Sequence, residues 1–196
     1  MGGHDKTESA VTVVRNGRSR GRGIPSSIKF EIQEDVKVTI INALPNMRAG
    51  LIAVYAGLNS MANGRWCGVN LLTFESTAAK DVHVLGDSIQ IAPGMPKSGH
   101  MANAQAKVAA AVIVAQLNGW EVNSNPMLTN TCYSMVDAKN CIHVASVHEY
   151  VAAEKTFKTV AGSGGVSWID LKPEVTMLEG AYADSWAQNI WADMLA

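Results

Sequence analysis

Val82-His83-Val84-Leu85-Gly86-Asp87, then Pro93-Gly94-Met95-Pro96-Lys97-Ser98, then the alanine-rich run from Asn103 to Leu117 form the stretch on which the fold turns. Val82 to Leu85 reads as a short apolar strand that Gly86-Asp87 ends. The run from Asn103 to Leu117 predicts a helix that is apolar nearly all round, with Asn118-Gly119 as its C-terminal stop. Such a helix is expected to be buried. Strand, loop and buried helix in that order point to an α/β arrangement, in which ligands sit beyond the C-terminal ends of strands. Gly86 would let a ligand approach the backbone closely. The Asp87 carboxylate would accept hydrogen bonds from a hydroxyl chain. The helix N-terminus, with its free N–H groups and positive dipole end, suits a bound anion or a group that becomes anionic, such as a reduced flavin. Plainer alternatives stand beside these: a simple turn at Gly86-Asp87, and a helix that serves only as core packing.

Working outward toward the N-terminus, Lys29 to Ile32 and Val36 to Ile41 read as strands, Ala49 to Gly57 as a short helix, and Asn63-Gly64 as a turn. Met1 to Ser27 is rich in Gly and Arg and, apart from Val11, Val13 and Val14, has little to bury. It is expected to be unordered. An RNA-binding arm is the alternative, against which stands the lack of aromatics. Toward the C-terminus, Cys141 to Ser146 and His148 to Val151 read as adjacent strands of a second unit. Gly162 to Gly165 reads as a loop and Trp168 to Leu171 as a further strand. The tail from Leu178 to Leu195 reads as a helix with Tyr182, Trp186, Ile190 and Leu195 on one stripe. The expected class is α/β, turning α+β at the C-terminus. The expected divisions are 1–27 (unordered), 28–120 and 121–196.

With 196 residues, 47% of them apolar, and a formal charge of −1, the chain has the profile of a soluble globular protein. That balance argues against nucleic acid or an anionic membrane as the main partner. In the second half the longest apolar run, Val108 to Ala115, falls far short of the roughly 20 residues of a membrane span. Met1 to Gly23 has no apolar core of the signal-peptide kind. Three cysteines, Cys67, Cys132 and Cys141, do not make a disulfide scaffold. Cys132 and Cys141 lack metal-ligand spacing, so no metal site is expected. His83, His100, His143 and His148 are scattered, and nothing in the sequence marks any of them as a base.

Several runs taken together carry a family resemblance. They are Trp66-Cys67-Gly68-Val69-Asn70, Thr73 to Thr77, Val82 to Asp87, Met95-Pro96-Lys97-Ser98, Ala102 to Ala111, Asn130-Thr131-Cys132-Tyr133-Ser134, Gly164-Gly165-Val166 and Tyr182-Ala183-Asp184-Ser185-Trp186. In order and spacing this set resembles the flavoprotein chain of flavocytochrome c sulfide dehydrogenase, from about Val36 onward. The resemblance implies part of a glutathione-reductase-like FAD/NAD(P)-binding flavoprotein fold. It also implies FAD as cofactor, sulfide as substrate, a cytochrome c subunit as partner and a periplasmic location.

Residue by residue, the resemblance places Gly86 and Asp87 at the ribityl or pyrophosphate region of FAD, and Pro96, Lys97 and Ser98 at the flavin end of the helix. Trp186 matches a tryptophan beside the flavin ring, where an aromatic plane excludes water and stacks. Cys67 matches the second cysteine of a redox-active disulfide; a thiolate beside a flavin can form a persulfide with sulfide while the two electrons released reduce the flavin ring. Outside the resemblance, Cys67 reads as a buried structural thiol and Trp186 as a core anchor.

The sequence departs from the family where Gly68 replaces a usual proline, Ser88 a usual alanine and His100 a usual aromatic, and where Gly94 is extra. The strand–Gly-x-Gly-x-x-Gly–helix unit that holds FAD pyrophosphate is not found before Asp87. The resemblance therefore suggests a C-terminal half, with a separate N-terminal half as an expected partner. Two further readings stay open. One is a non-catalytic module that docks a cytochrome. The other, weaker, is a sulfide:quinone-type flavoenzyme, which would need an apolar membrane-facing tail.

Overall fold

In the computed structural model the described residues are 10–15, 37–42, 48–90, 92–167 and 172–195. Two strands, β1 (Ala10–Arg15) and β2 (Lys37–Asn42), pair in parallel, with Ala10 opposite Lys37 and Arg15 opposite Asn42. β2 falls where the apolar run Val36 to Ile41 predicted a strand. β1 falls inside the stretch whose composition suggested no order, on the three valines that broke that composition. The rest of 1–27 and the expected strand at 29–32 lie outside the described residues.

The short helix α1 (Leu51–Tyr55) is followed by a long stretch, 58–98, with little regular structure. Single bridges hold it together: Met61 to Trp66, Cys67 to Ile89, Val69 to Ser76 and Glu75 to His83. Val82 to Leu85 is therefore not a strand. Only His83 is bridged, and Gly86–Ser88 forms one 3₁₀ turn. β-branched residues suit a ladder, but a ladder needs a continuous partner, and here Glu75 is the single one.

Helix α2 (Gly99–Asn118) starts four residues earlier than its alanine run suggested. Ser98 caps it, accepting the Met101 N–H at 3.0 Å. It stops at Gly119, whose φ of 67° is the left-handed conformation that glycine adopts without strain, and the Trp120 N–H closes back on the Ala115 carbonyl at 2.8 Å. The helix is not buried on all sides. Met101, Gln105, Ala109, Val112 and Ala115 form one buried face, while Val114 is half-exposed and Leu117 is 81% exposed. Alanines are small enough to face water at little cost, so an alanine-rich helix reads as more apolar than the face it packs.

The second unit is an antiparallel sheet of β3 (Met127–Met135), β4 (Cys141–Val151), β5 (Thr156–Thr159) and β6 (Gly165–Val166). β4 is its spine. β3 runs along one edge, and β5 and β6 share the other, β5 against His148–Val151 and β6 against Val144–Ala145. The two strands expected over 141–151 are thus one unbroken strand. Asp137 builds the β3–β4 turn by accepting the N–H groups of Lys139 and Asn140, both at 2.8 Å. These bonds to the ionised form hold its carboxyl below the ordinary aspartate range.

Helix α3 (Pro173–Leu195) lies on β4. Its packed stripe runs through Thr176, Glu179, Gly180, Ala183, Trp186 and Ile190. The expected stripe was right for Trp186 and Ile190 and wrong for Tyr182 and Leu195, which are exposed. The reason is that α3 approaches the sheet through small and polar residues. A side chain at Gly180 would run into the Lys139 carbonyl, and the Thr176 hydroxyl donates to Asn140 Oδ1 at 2.6 Å. The expected strand at 168–171 lies outside the described residues.

The main core lies where the 58–98 stretch, α2 and the sheet meet. It contains Val69, Leu71, Phe74, Ile89, Met95, Met101, Leu128 and Phe157. Phe74 stacks on Phe157 at 6.2 Å, and Tyr150 meets Phe157 edge-on at 5.5 Å. A smaller cluster gathers Ala49, Ala53 and Cys67 under α1. The structure is thus mixed, with helices beside an antiparallel sheet.

Candidate functional site at the start of helix α2

A cleft opens at the N-terminal end of α2, lined by Gly86, Asp87, Gln90, Met95, Pro96, Lys97, Ser98, Met101, Ala102 and Gln105. Five of the residues singled out from the sequence, Gly86, Asp87, Pro96, Lys97 and Ser98, thus meet in one place. They do so without the strand that was expected to deliver them. Gly86 takes φ of 73°, and a side chain there would press on Ala102 of the helix at 3.3 Å. The fully buried Gln105 reaches back from α2 and accepts the Gly86 N–H at 2.7 Å, and its amide meets the Met95 sulfur at 3.7 Å. Gln105 was not foreseen. It stands between Asn103 and Lys107 in the sequence, so a polar residue there gave no local signal of burial.

Lys97 turns its ammonium inward. Nζ donates to the carbonyls of Asp87 at 2.8 Å and Ile89 at 2.7 Å, and lies 4.2 Å from the centre of the Trp66 ring. Burial lowers its pKa to about 8; Arg65 pushes the same way, while Asp87 and Cys67 oppose it. Cys67 is completely buried and lies outside the cleft lining. Its N–H donates to the Ser88 carbonyl and its own carbonyl accepts from Gln90, both at 2.9 Å, which sets it directly behind the 3₁₀ turn. Burial pushes its thiol up and the Lys97 charge pulls it back. All three cysteines are free thiols.

The sheet closes the other side of the helix start. The Ser98 hydroxyl donates to Oδ1 of the buried Asn130 on β3. His100, in the first turn of α2, accepts the Thr131 N–H on Nδ1 at 2.9 Å, which leaves its proton on Nε2; burial holds it below the ordinary histidine value. Trp186 packs on the His100 ring at 5.3 Å and on Tyr133 at 6.1 Å. Trp186 therefore stands at the helix start but is not among the cleft residues. A side chain built on Gly99 would meet nothing within 4 Å, so the first turn of α2 faces open space at this position. An open helix N-terminus with a hydroxyl cap and an aromatic ring beside it fits a flat ring system that gains negative charge.

A Ser-His-Glu set also occurs, and its geometry is structural. Glu179 of α3 is buried and accepts from the Ser167 hydroxyl, and its Oε2 lies 3.2 Å from His143 Nδ1. Ser167 Oγ meets that same Nδ1 at 3.1 Å. Nucleophilic chemistry requires the hydroxyl on the nitrogen opposite the carboxylate. Here one nitrogen serves both, so the set clamps α3 to β4.

Residues 124–195, the whole of β3 to β6 with α3, match the family model described as "Flavocytochrome c sulphide dehydrogenase, flavin-binding". This unit is similar to the flavin-binding domain of that family. Its cofactor is a flavin, FAD. The flavin-binding domain supplies Asn130 and Trp186 to the helix start, while Cys67 and the cleft residues at 86–98 lie outside the matched span. Among the described residues no helix is long and apolar enough to cross a membrane.

Proposed function

We propose that this chain is the flavin-side portion of a sulfide dehydrogenase, in which sulfide is oxidised at FAD and electrons pass on to a cytochrome c. The observation that carries the proposal is the meeting of the flavin-binding domain with the start of α2. Ser98 bonds to Asn130, and Trp186 packs on His100. In this reading Gly86 and Asp87 hold the ribityl or pyrophosphate portion of FAD, Pro96 and Ser98 border its ring, and Trp186 shields it from water. The bound flavin supplies a two-electron acceptor. The protein's share is to orient that acceptor on the helix dipole, exclude water, and present the Cys67 thiol to sulfur. The glutathione-reductase-like arrangement belongs to this proposal, as do the periplasmic location and a partner chain that carries the pyrophosphate-binding glycine loop.

The test is to purify the chain, add FAD, remove the excess and record the visible spectrum. A retained flavin spectrum that bleaches on adding sulfide is the expected result when the glycine-loop chain is supplied, and a weaker or absent one without it. Flavin that is retained but indifferent to sulfide in the reconstituted protein would favour the docking module over the enzyme.

A further inference from the structure

We propose that Gln105 is a ligand-binding residue: its buried side-chain amide donates a hydrogen bond to a hydroxyl of the flavin's ribityl chain, in the cleft it shares with Asp87. This deepens the reading of the cleft as a flavin site and rests on it. The resemblance gave Gln105 no role.

A donor without an adequate acceptor carries the assignment. Gln105 is 1% exposed and lines the cleft at the start of α2. Its Oε1 accepts the Gly86 N–H at 2.7 Å. That bond fixes which way the amide points, because the flipped amide would set two donors face to face. Nε2 then carries two N–H groups. Among the described residues their one acceptor is the Met95 sulfur at 3.7 Å, itself on the cleft lining. A thioether accepts only weakly. A buried N–H without a good acceptor is costly, and native interiors rarely keep one. The same cleft holds the complementary group. Asp87 sits in the 3₁₀ turn whose first N–H Gln105 holds, and an ionised carboxylate only accepts. A donor and an acceptor on one cleft fit an alcohol, which takes a hydrogen from the first and gives its own to the second. A polyol chain supplies such groups in series. A phosphate would satisfy Gln105 but meet a like charge at Asp87. The pair therefore selects the ribityl portion of the cofactor over its pyrophosphate.

The test is nuclear magnetic resonance of the ¹⁵N-labelled full chain, following the assigned side-chain amide of Gln105. Riboflavin carries the ring and the ribityl chain without phosphate; lumiflavin carries the ring alone. Riboflavin should shift the Gln105 amide pair, and lumiflavin should not. Riboflavin that moves the backbone signals of the cleft while the Gln105 pair stays still would overturn the proposal and leave the flavin reading intact. A pair shifted equally by lumiflavin would put the amide on the ring and overturn the ribityl assignment. Silence of every cleft signal toward both compounds would overturn the flavin reading, and the proposal with it. A variant separates binding from scaffolding. Gln105→Glu keeps an acceptor for the Gly86 N–H and replaces the donor with a second acceptor. It should weaken riboflavin binding about tenfold, the effect of one lost hydrogen bond, and leave lumiflavin binding unchanged. Riboflavin affinity equal to the parent's would refute the donor role. If Gln105→Glu does not fold, the resonances of the parent decide alone.

Discussion

The Ser98 hydroxyl does two things at once. Its oxygen accepts the Met101 N–H and its hydrogen goes to Asn130. The first bond begins the helix and the second ties that beginning to the sheet. Replacing Ser98 with alanine therefore removes a cap and strips a buried amide of a partner, a combined loss of about 2 kcal/mol. The midpoint of urea unfolding should fall accordingly. Ser98→Thr, which keeps the hydroxyl, should recover most of it. Gln105 belongs to the same scale. A buried amide holding the Gly86 N–H is a local necessity once the 3₁₀ turn exists, yet nothing near Gln105 in sequence announces a turn nineteen residues away.

Among the elements, α3 is held most specifically. Gly180 lets the helix backbone touch the β3–β4 turn, and Glu179 anchors the neighbouring position. Gly180→Val should lift α3 from β4, cost about 1–3 kcal/mol as overpacking does, and loosen Trp186 from His100. Hydrogen exchange along α3 and a change in tryptophan emission would report this; unchanged exchange would mean that the turn yields instead.

The elements also show what was legible in the sequence. α2 was, because its alanine run and Asn118-Gly119 stop are local signals. β4 was, in two pieces, because apolar and β-branched residues recur along it on both sides of Ser146 and His148. β3 was not: the residues it turns inward are Leu128 and Asn130, so half of its buried face is polar and the alternation is hidden. Val82 to Leu85 had the composition of a strand but not its neighbour. The cleft was legible through Gly86, Asp87 and the run Pro96-Lys97-Ser98, whereas the inward turn of the Lys97 side chain depends on carbonyls that only the fold brings near.

At the scale of the whole molecule, the pH response follows from a histidine in the core. His148 is completely buried on β4, within 2.9 Å of the Ser146 hydroxyl and 3.4 Å of that of Thr159. Burial holds its folded pKa below the ordinary value of about 6.5. The unfolded chain therefore takes up a proton first as pH falls. The stabilisation is fully present above that ordinary value and is lost as pH drops through it toward the folded value. His100, shifted the same way, adds to the effect. Unfolding free energy measured from pH 7.5 to 5 should decline, and His148→Gln should decline less steeply. A parallel slope would show that His148 is not responsible.

The contact of Trp186 with His100 has a consequence in time. The first turn of α2 is made at residue 99, but its aromatic cover lies on the final helix, 86 positions beyond His100. During synthesis the helix can form and the sheet can assemble while the cover is still inside the ribosome. Full enclosure of the helix start then waits until residue 186 has been made. A chaperone that shields the open helix start until residue 186 emerges would act in that interval.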